Sequence, residues 1–77
     1  MNTSEIGKRL IKLRGGRTQL EIAQKVGVSV STIGMYERGE RIPRDEIKVK
    51  LARFYGQTVD DIFFKENDTV SVESVTA

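Results

Sequence analysis

Gln19–Gly39 reads QLEIAQKVGVSVSTIGMYERG. Counted from Gln19, Ala23, Gly27, Ile33 and Tyr36 stand at offsets of four, eight, fourteen and seventeen. Each offset has a physical reason. Ala23 is small enough for a following helix to cross its own helix closely, Gly27 permits a tight turn, and Val28, Ile33 and Tyr36 anchor the following helix from one side. An ordinary helical hairpin needs apolar periodicity but not this register of Ala, Gly and Ile. The stretch therefore predicts two short helices packed across a turn, with Val30, Ser31, Gly34, Met35 and Arg38 on the outward face of the second.

Capping signals frame both helices. Thr18-Gln19-Leu20-Glu21 fits a capping box, in which hydroxyl and carboxylate satisfy orphan backbone donors reciprocally, and Gly27 ends that helix. Ser29 suits the N-cap of the next, and Gly39 the left-handed turn after it. Upstream, Ile6, Leu10 and Leu13 recur at helical spacing behind Asn2 and Ser4 as candidate caps, and the pattern stops at Gly15-Gly16. Downstream, Pro43 sits where a helix begins, and Ile47, Leu51, Phe54 and Tyr55 give that helix an apolar face before Gly56. Thr58-Val59-Asp60-Asp61 repeats the capping logic ahead of Ile62 and Phe63, a short fifth helix. The expected architecture is all-α, five helices in one domain over residues 1–65. Residues 66–77 are acidic and poor in large apolar groups, so disorder is expected, with an extended strand through Val70, Val72 and Val75 as the alternative.

Composition narrows the chemistry. In 77 residues there is neither Cys nor His, which removes disulfides, thiolate zinc sites, imidazole bases and Ser–His or Cys–His nucleophiles. No apolar run approaches the roughly 20 residues needed to span a bilayer, so the chain is expected to stay in a reducing cytoplasm. Asp45/Glu46 and Asp60/Asp61 are the candidate carboxylate pairs. Helical neighbours point about 100 degrees apart, so complementing a helix N-terminus explains them better than acid–base catalysis. No catalytic residue, metal ligand, cofactor or small-molecule substrate is assigned. Charge is unevenly spread: 12 Lys and Arg face 6 Asp and Glu through Thr58, whereas 1 faces 5 from Val59 onward. A basic domain beside an acidic tail suits a polyanionic partner.

The stretch Gln19–Gly39 resembles the lambda-repressor-like, or Xre/Cro, family of bacterial and phage regulators. The likeness extends over Ile6 to Phe63, including the IGKRL start, the Tyr-Glu-Arg-Gly ending of the third helix and the closing TVDDIFF. It implies a compact five-helix bundle acting as a sequence-specific DNA-binding transcriptional regulator, here read as a repressor. The third helix, about residues 30–38, would enter the major groove of double-stranded DNA as part of a homodimer on paired half-sites.

Family roles transfer where positions match. Gln19 falls where the family places a phosphate contact, at a helix N-terminus whose dipole favours an anion. Ser29 offers a short donor for phosphate, besides capping. Arg14 and Glu37 fall at positions that pair the ends of helices one and three, which would orient Arg14 towards phosphate. The connection after Arg14, Gly15-Gly16-Arg17, is about two residues shorter than the family pattern. Arg38, Arg41 and Arg44 stand at or just beyond the third helix, where backbone clamps are expected.

The reading face departs from the better-known members. Val30, Ser31, Gly34 and Met35 include none of the Gln, Asn or Arg side chains that read adenine and guanine by paired hydrogen bonds. Val30 and Met35 suit thymine methyls, Ser31 suits either kind of base, and Arg38 is the one available guanine reader. Two copies would double these contacts. Tyr55, Val59, Phe63 and Phe64 are the expected dimer interface. The alternative reading, drawn from the thin base-reading set and the acidic tail, is a protein-interaction module such as an antitoxin or repressor antagonist.

Overall fold

Local caps set each boundary in the computed structural model, which describes residues 2–65. α1 spans Thr3–Arg14; Asn2 is its N-cap and accepts from the Glu5 backbone N–H, so Ser4 lies inside the helix instead of capping it. α2 spans Gln19–Val26 behind a complete capping box from Thr18 and Glu21, and Gly27 closes it in the left-handed conformation. α3 spans Val30–Glu37, with Ser29 Oγ accepting from the Thr32 N–H. α4 spans Asp45–Tyr55. It starts two residues later than Pro43 suggests. Arg44 is the N-cap, and Pro43 lies buried just before it, fixing the entry of the chain rather than the first helical turn.

The fifth helical element, Asp60–Phe64, is a single wide π turn, not an α-helix. Thr58 Oγ1 accepts from the Asp61 N–H at 3.0 Å, which starts the turn. Arg9 ends it: its Nη1 donates to the Ile62 carbonyl at 2.8 Å and its Nη2 to the Lys65 carbonyl at 2.9 Å. The Ile62 carbonyl belongs to the turn's end, where helix carbonyls lack partners of their own, and the Lys65 carbonyl lies on the extended residue just beyond it. A side chain of α1 thus ties down the C-terminal end of the described chain.

α1 and α2 both pack on α3, α1 also on the π turn and α2 also on α4. Ile6, Leu10, Ile22, Ala23, Val26, Ile33, Tyr36, Ile47, Leu51, Ala52, Ile62 and Phe63 form one buried cluster. α1 crosses the end of α3 closely at Gly7, where an added methyl would collide with the Glu37 carbonyl. Gly39 sits against the start of α1 with φ +75°, so neither its space nor its backbone admits a side chain. Phe54 and Tyr55, placed on the apolar face of α4, are half-buried at its edge in a T-shaped pair with Arg17 over the Phe54 ring. No helix among the described residues is long and apolar enough to cross a membrane. The tail expected to be disordered, and its strand alternative, lie outside the described residues.

Candidate nucleic-acid interface

α3 has two chemically distinct sides. Ile33, Tyr36 and Glu37 are buried at 2, 5 and 6 % exposure, whereas Val30 is 40 % exposed and Ser31 and Arg38 are open to solvent. Met35 is half-buried beside them. Gly34 corrects the expected face: it is buried, because Arg38 folds back over it and a methyl built on Gly34 would stand 2.9 Å from Arg38 Nη1. The outward surface is therefore Val30, Ser31, part of Met35, and the guanidinium of Arg38.

One end of this surface is fixed by a buried carboxylate. Arg14 Nε donates to Glu37 Oε2 at 2.7 Å and its Nη2 to Oε1 at 3.1 Å, while Gln19 Nε2 donates to the same Oε1 at 2.9 Å. Arg14 Nη1 donates to the Arg17 carbonyl, folding the short connection against the ends of α1 and α3. The hydrogen bonds to Glu37 hold the Arg14 guanidinium above its usual range, and desolvation only partly opposes them. Gln19 consequently has one amide N–H engaged and one available. The Gln19 and Leu20 backbone N–H groups at the start of α2 have no acceptor among the described residues.

The other end is a basic groove of about 340 Å³ between the α2–α3 turn and the start of α4. Ser29, Thr32, Tyr36, Arg41, Arg44 and Lys50 are among its lining residues. Arg41 and Arg44 are exposed, and no carboxylate pairs with either among the described residues. Ser29 Oγ is committed locally, 2.8 Å from Thr32 Oγ1 and 3.2 Å from Ser31 Oγ. Lys50 does not stand out in the sequence, although Ile47 and Leu51 turn inward and helical spacing leaves Lys50 beside them at the rim. Local spacing gives Glu40 no signal either. It stands two residues beyond Arg38, across the Gly39 turn, and binds its guanidinium.

A helix-turn-helix family model matches residues 8–62, a span that holds α2, the turn, α3 and most of the supporting bundle. The chain belongs to the lambda-repressor-like helix-turn-helix family of transcriptional regulators. Relatives of this helix-turn-helix protein include an uncharacterized HTH-type transcriptional regulator of Methanocaldococcus jannaschii, 41 % identical over 51 residues, covering 66 % of this chain and 77 % of the relative. An uncharacterized HTH-type transcriptional regulator of Archaeoglobus fulgidus is 33 % identical over 60 residues, covering 78 % of this chain and 86 % of the relative. The HTH-type transcriptional regulator ImmR of Bacillus subtilis is 34 % identical over 73 residues, which is 92 % of this chain and 56 % of that protein. No solved structure matches it. As a member of this family it is a DNA-binding regulator.

The four dimer candidates are unequal. Phe63 is 1 % exposed and is a core residue, so it has no surface left to give a partner. Tyr55 and Val59 are half-buried and Phe64 is 49 % exposed. Lys48 Nζ, itself largely buried, lies 5.1 Å from the Phe64 ring centre and 5.9 Å from that of Phe63. Burial, with the nearby charge of Glu37, pushes the Tyr55 hydroxyl up to about 12.

Proposed function

We propose that the chain is a sequence-specific repressor that inserts α3 into the major groove of double-stranded DNA as a homodimer. The observation that carries this reading is the division of α3: its inner side is sealed in the core and its outer side, Val30 to Arg38, is held out between two sources of phosphate donors. Val30 and the open part of Met35 face thymine methyls, Ser31 faces either kind of base, and Arg38 faces guanine. Arg41, Arg44 and Lys50 clamp one strand's phosphates. The spare N–H of Gln19, the free N–H groups of the α2 N-terminus and the edge of Arg14 take the other. Ser29 adds a hydroxyl at the start of α3. Phe64, flanked by Tyr55 and Val59, supplies the dimer face.

Selection of bound DNA from a random pool tests this directly. The expected product is a two-fold symmetric site with half-site centres about 34 Å apart. Recovery of sequences with no common element would overturn the reading, and recovery of an isolated half-site would overturn its dimeric part.

A further inference from the structure

Arg38 and Glu40 form a forked pair at the end of the α3 surface. Arg38 Nε donates to Glu40 Oε2 at 2.9 Å and Nη2 donates to Glu40 Oε1 at 3.2 Å. The backbone dictates the pairing. α3 stops at Arg38, Gly39 turns the chain with φ +75°, and the Glu40 N–H returns to the Met35 carbonyl at 2.9 Å. That return sets the Glu40 side chain alongside Arg38. Gly34 lies beneath the seat: a Cβ there would stand 2.9 Å from Arg38 Nη1, so a side chain would shift the guanidinium from this position.

The geometry leaves one edge of the guanidinium open. Nε and the adjacent hydrogen of Nη2 are taken by Glu40; both hydrogens of Nη1 and the second of Nη2 have no acceptor among the described residues. An Nη1–Nη2 edge donates two parallel hydrogen bonds, matching the O6 and N7 acceptors of guanine in the major groove. A phosphate suits this edge less well. The pair is neutral as a unit, so its attraction for an anion is weak and the carboxylate opposes a phosphate, whereas uncharged base acceptors feel only the aimed donors. Arg41 and Arg44, with no paired carboxylate, have the opposite character.

We propose that Glu40 is a positioning residue that presets Arg38 as a guanine reader, so that the Arg38–Glu40 pair over Gly34 determines specificity at one base pair of each half-site. The proposal rests on α3 occupying the major groove. The two groups also hold each other ionised, Glu40 lowering its carboxyl below the usual range and Arg38 rising above its own.

The test is binding of the full chain, and of Arg38→Ala and Glu40→Gln, to the selected site and to versions with each base replaced, with melting curves to show that the variants fold. Wild type is expected to prefer guanine at one half-site position by on the order of ten- to hundredfold, as a paired contact gives. Arg38→Ala should abolish that preference, and Glu40→Gln should reduce it about tenfold while affinity for unrelated DNA holds or rises. A merely structural Glu40 would instead lower binding to all sequences together. If Arg38→Ala removes the guanine preference and Glu40→Gln leaves it intact or sharpens it, Glu40 does not position the reader and the proposal fails while the groove reading stands. If wild type discriminates no base at all, both fail.

Discussion

Arg14 and Glu37, 23 residues apart in the chain, meet through two hydrogen bonds of 2.7 and 3.1 Å, with the carboxylate side chain 5 % exposed and the guanidinium 21 %. The pair joins the end of α1 to the end of α3, the helix proposed to read DNA. Glu37 also accepts from Gln19, so a single buried carboxylate organises three helix ends. A carboxylate so placed is tolerable only while its donors are present.

Arg14→Met is therefore expected to cost about 3 kcal/mol, because it leaves a buried charge with Gln19 as its one remaining side-chain donor. The double replacement Arg14→Met with Glu37→Leu should cost less than Arg14→Met alone, since no charge is then stranded. Denaturant melts of the three proteins measure both. Equal losses in the single and double variants would mean that the ion pair matters only through packing.

Tyr55 predicts a response to alkali. Its hydroxyl is pushed up to about 12 by burial and by Glu37, against about 10 in an unfolded chain. The unfolded state therefore releases this proton first. The contribution to stability is full below pH 10 and is lost as pH rises from about 10 towards 12. Absorbance titration near 295 nm should show a late-titrating tyrosine that Tyr55→Phe removes. The variant should also lose less stability than wild type across that window. An ordinary titration midpoint for Tyr55 would contradict the environment described.

What was legible in the sequence is mostly local. The capping box at Thr18 and Glu21, the Ser29 cap and the Gly27 turn each depend on residues within a few positions, and spacing exposes them. Features that depend on distant contacts were not. Gly7 reads as a weak point in a helix until the Glu37 carbonyl is seen against it. Gly34 has the right angle for the outward face, but a long side chain from one turn later covers it. The π turn is invisible in the apolar pattern, because Ile62 and Phe63 reach the core whichever backbone register carries them, and the ties from Arg9 come from α1. At the interface, Arg41 and Arg44 stand out as a charge cluster; Lys50 joins them only through the packing of α4 beside the turn.

The basic groove makes a quantitative prediction about salt. Arg41→Ala, Arg44→Ala and Lys50→Ala should each weaken binding to all DNA sequences alike. Each should lower the slope of log affinity against log salt by about one. Arg38→Ala should change the slope less, because Glu40 already neutralises it. Fluorescence anisotropy titrations between about 50 and 200 mM salt resolve the difference. A variant of Arg41, Arg44 or Lys50 that altered base preference with an unchanged slope would refute its assignment to phosphate.

The last prediction concerns the dimer, and it follows from which aromatic ring the core leaves out. Phe63 is fully used inside the protein, whereas Phe64 on the same π turn is 49 % exposed with Lys48 Nζ 5.1 Å from its ring. The ammonium braces the ring without covering it. Covering the exposed half in a partner is worth about 1 kcal/mol per copy at ordinary apolar transfer values. A symmetric interface contains the residue twice, so Phe64→Ser should weaken dimerisation by about 2 kcal/mol, or roughly thirtyfold. The fold should survive, because the core cluster contains Ile62 and Phe63 but not Phe64. Sedimentation velocity gives the dimer constant, and melting shows whether the monomer remains folded. Binding to full and half operators then links the two, since a weakened dimer must lose its advantage on the full site while keeping its affinity for the half-site. An unchanged dimer constant in Phe64→Ser would move the interface elsewhere on the surface, and a wild-type monomer that bound half and full sites equally would end the dimer model.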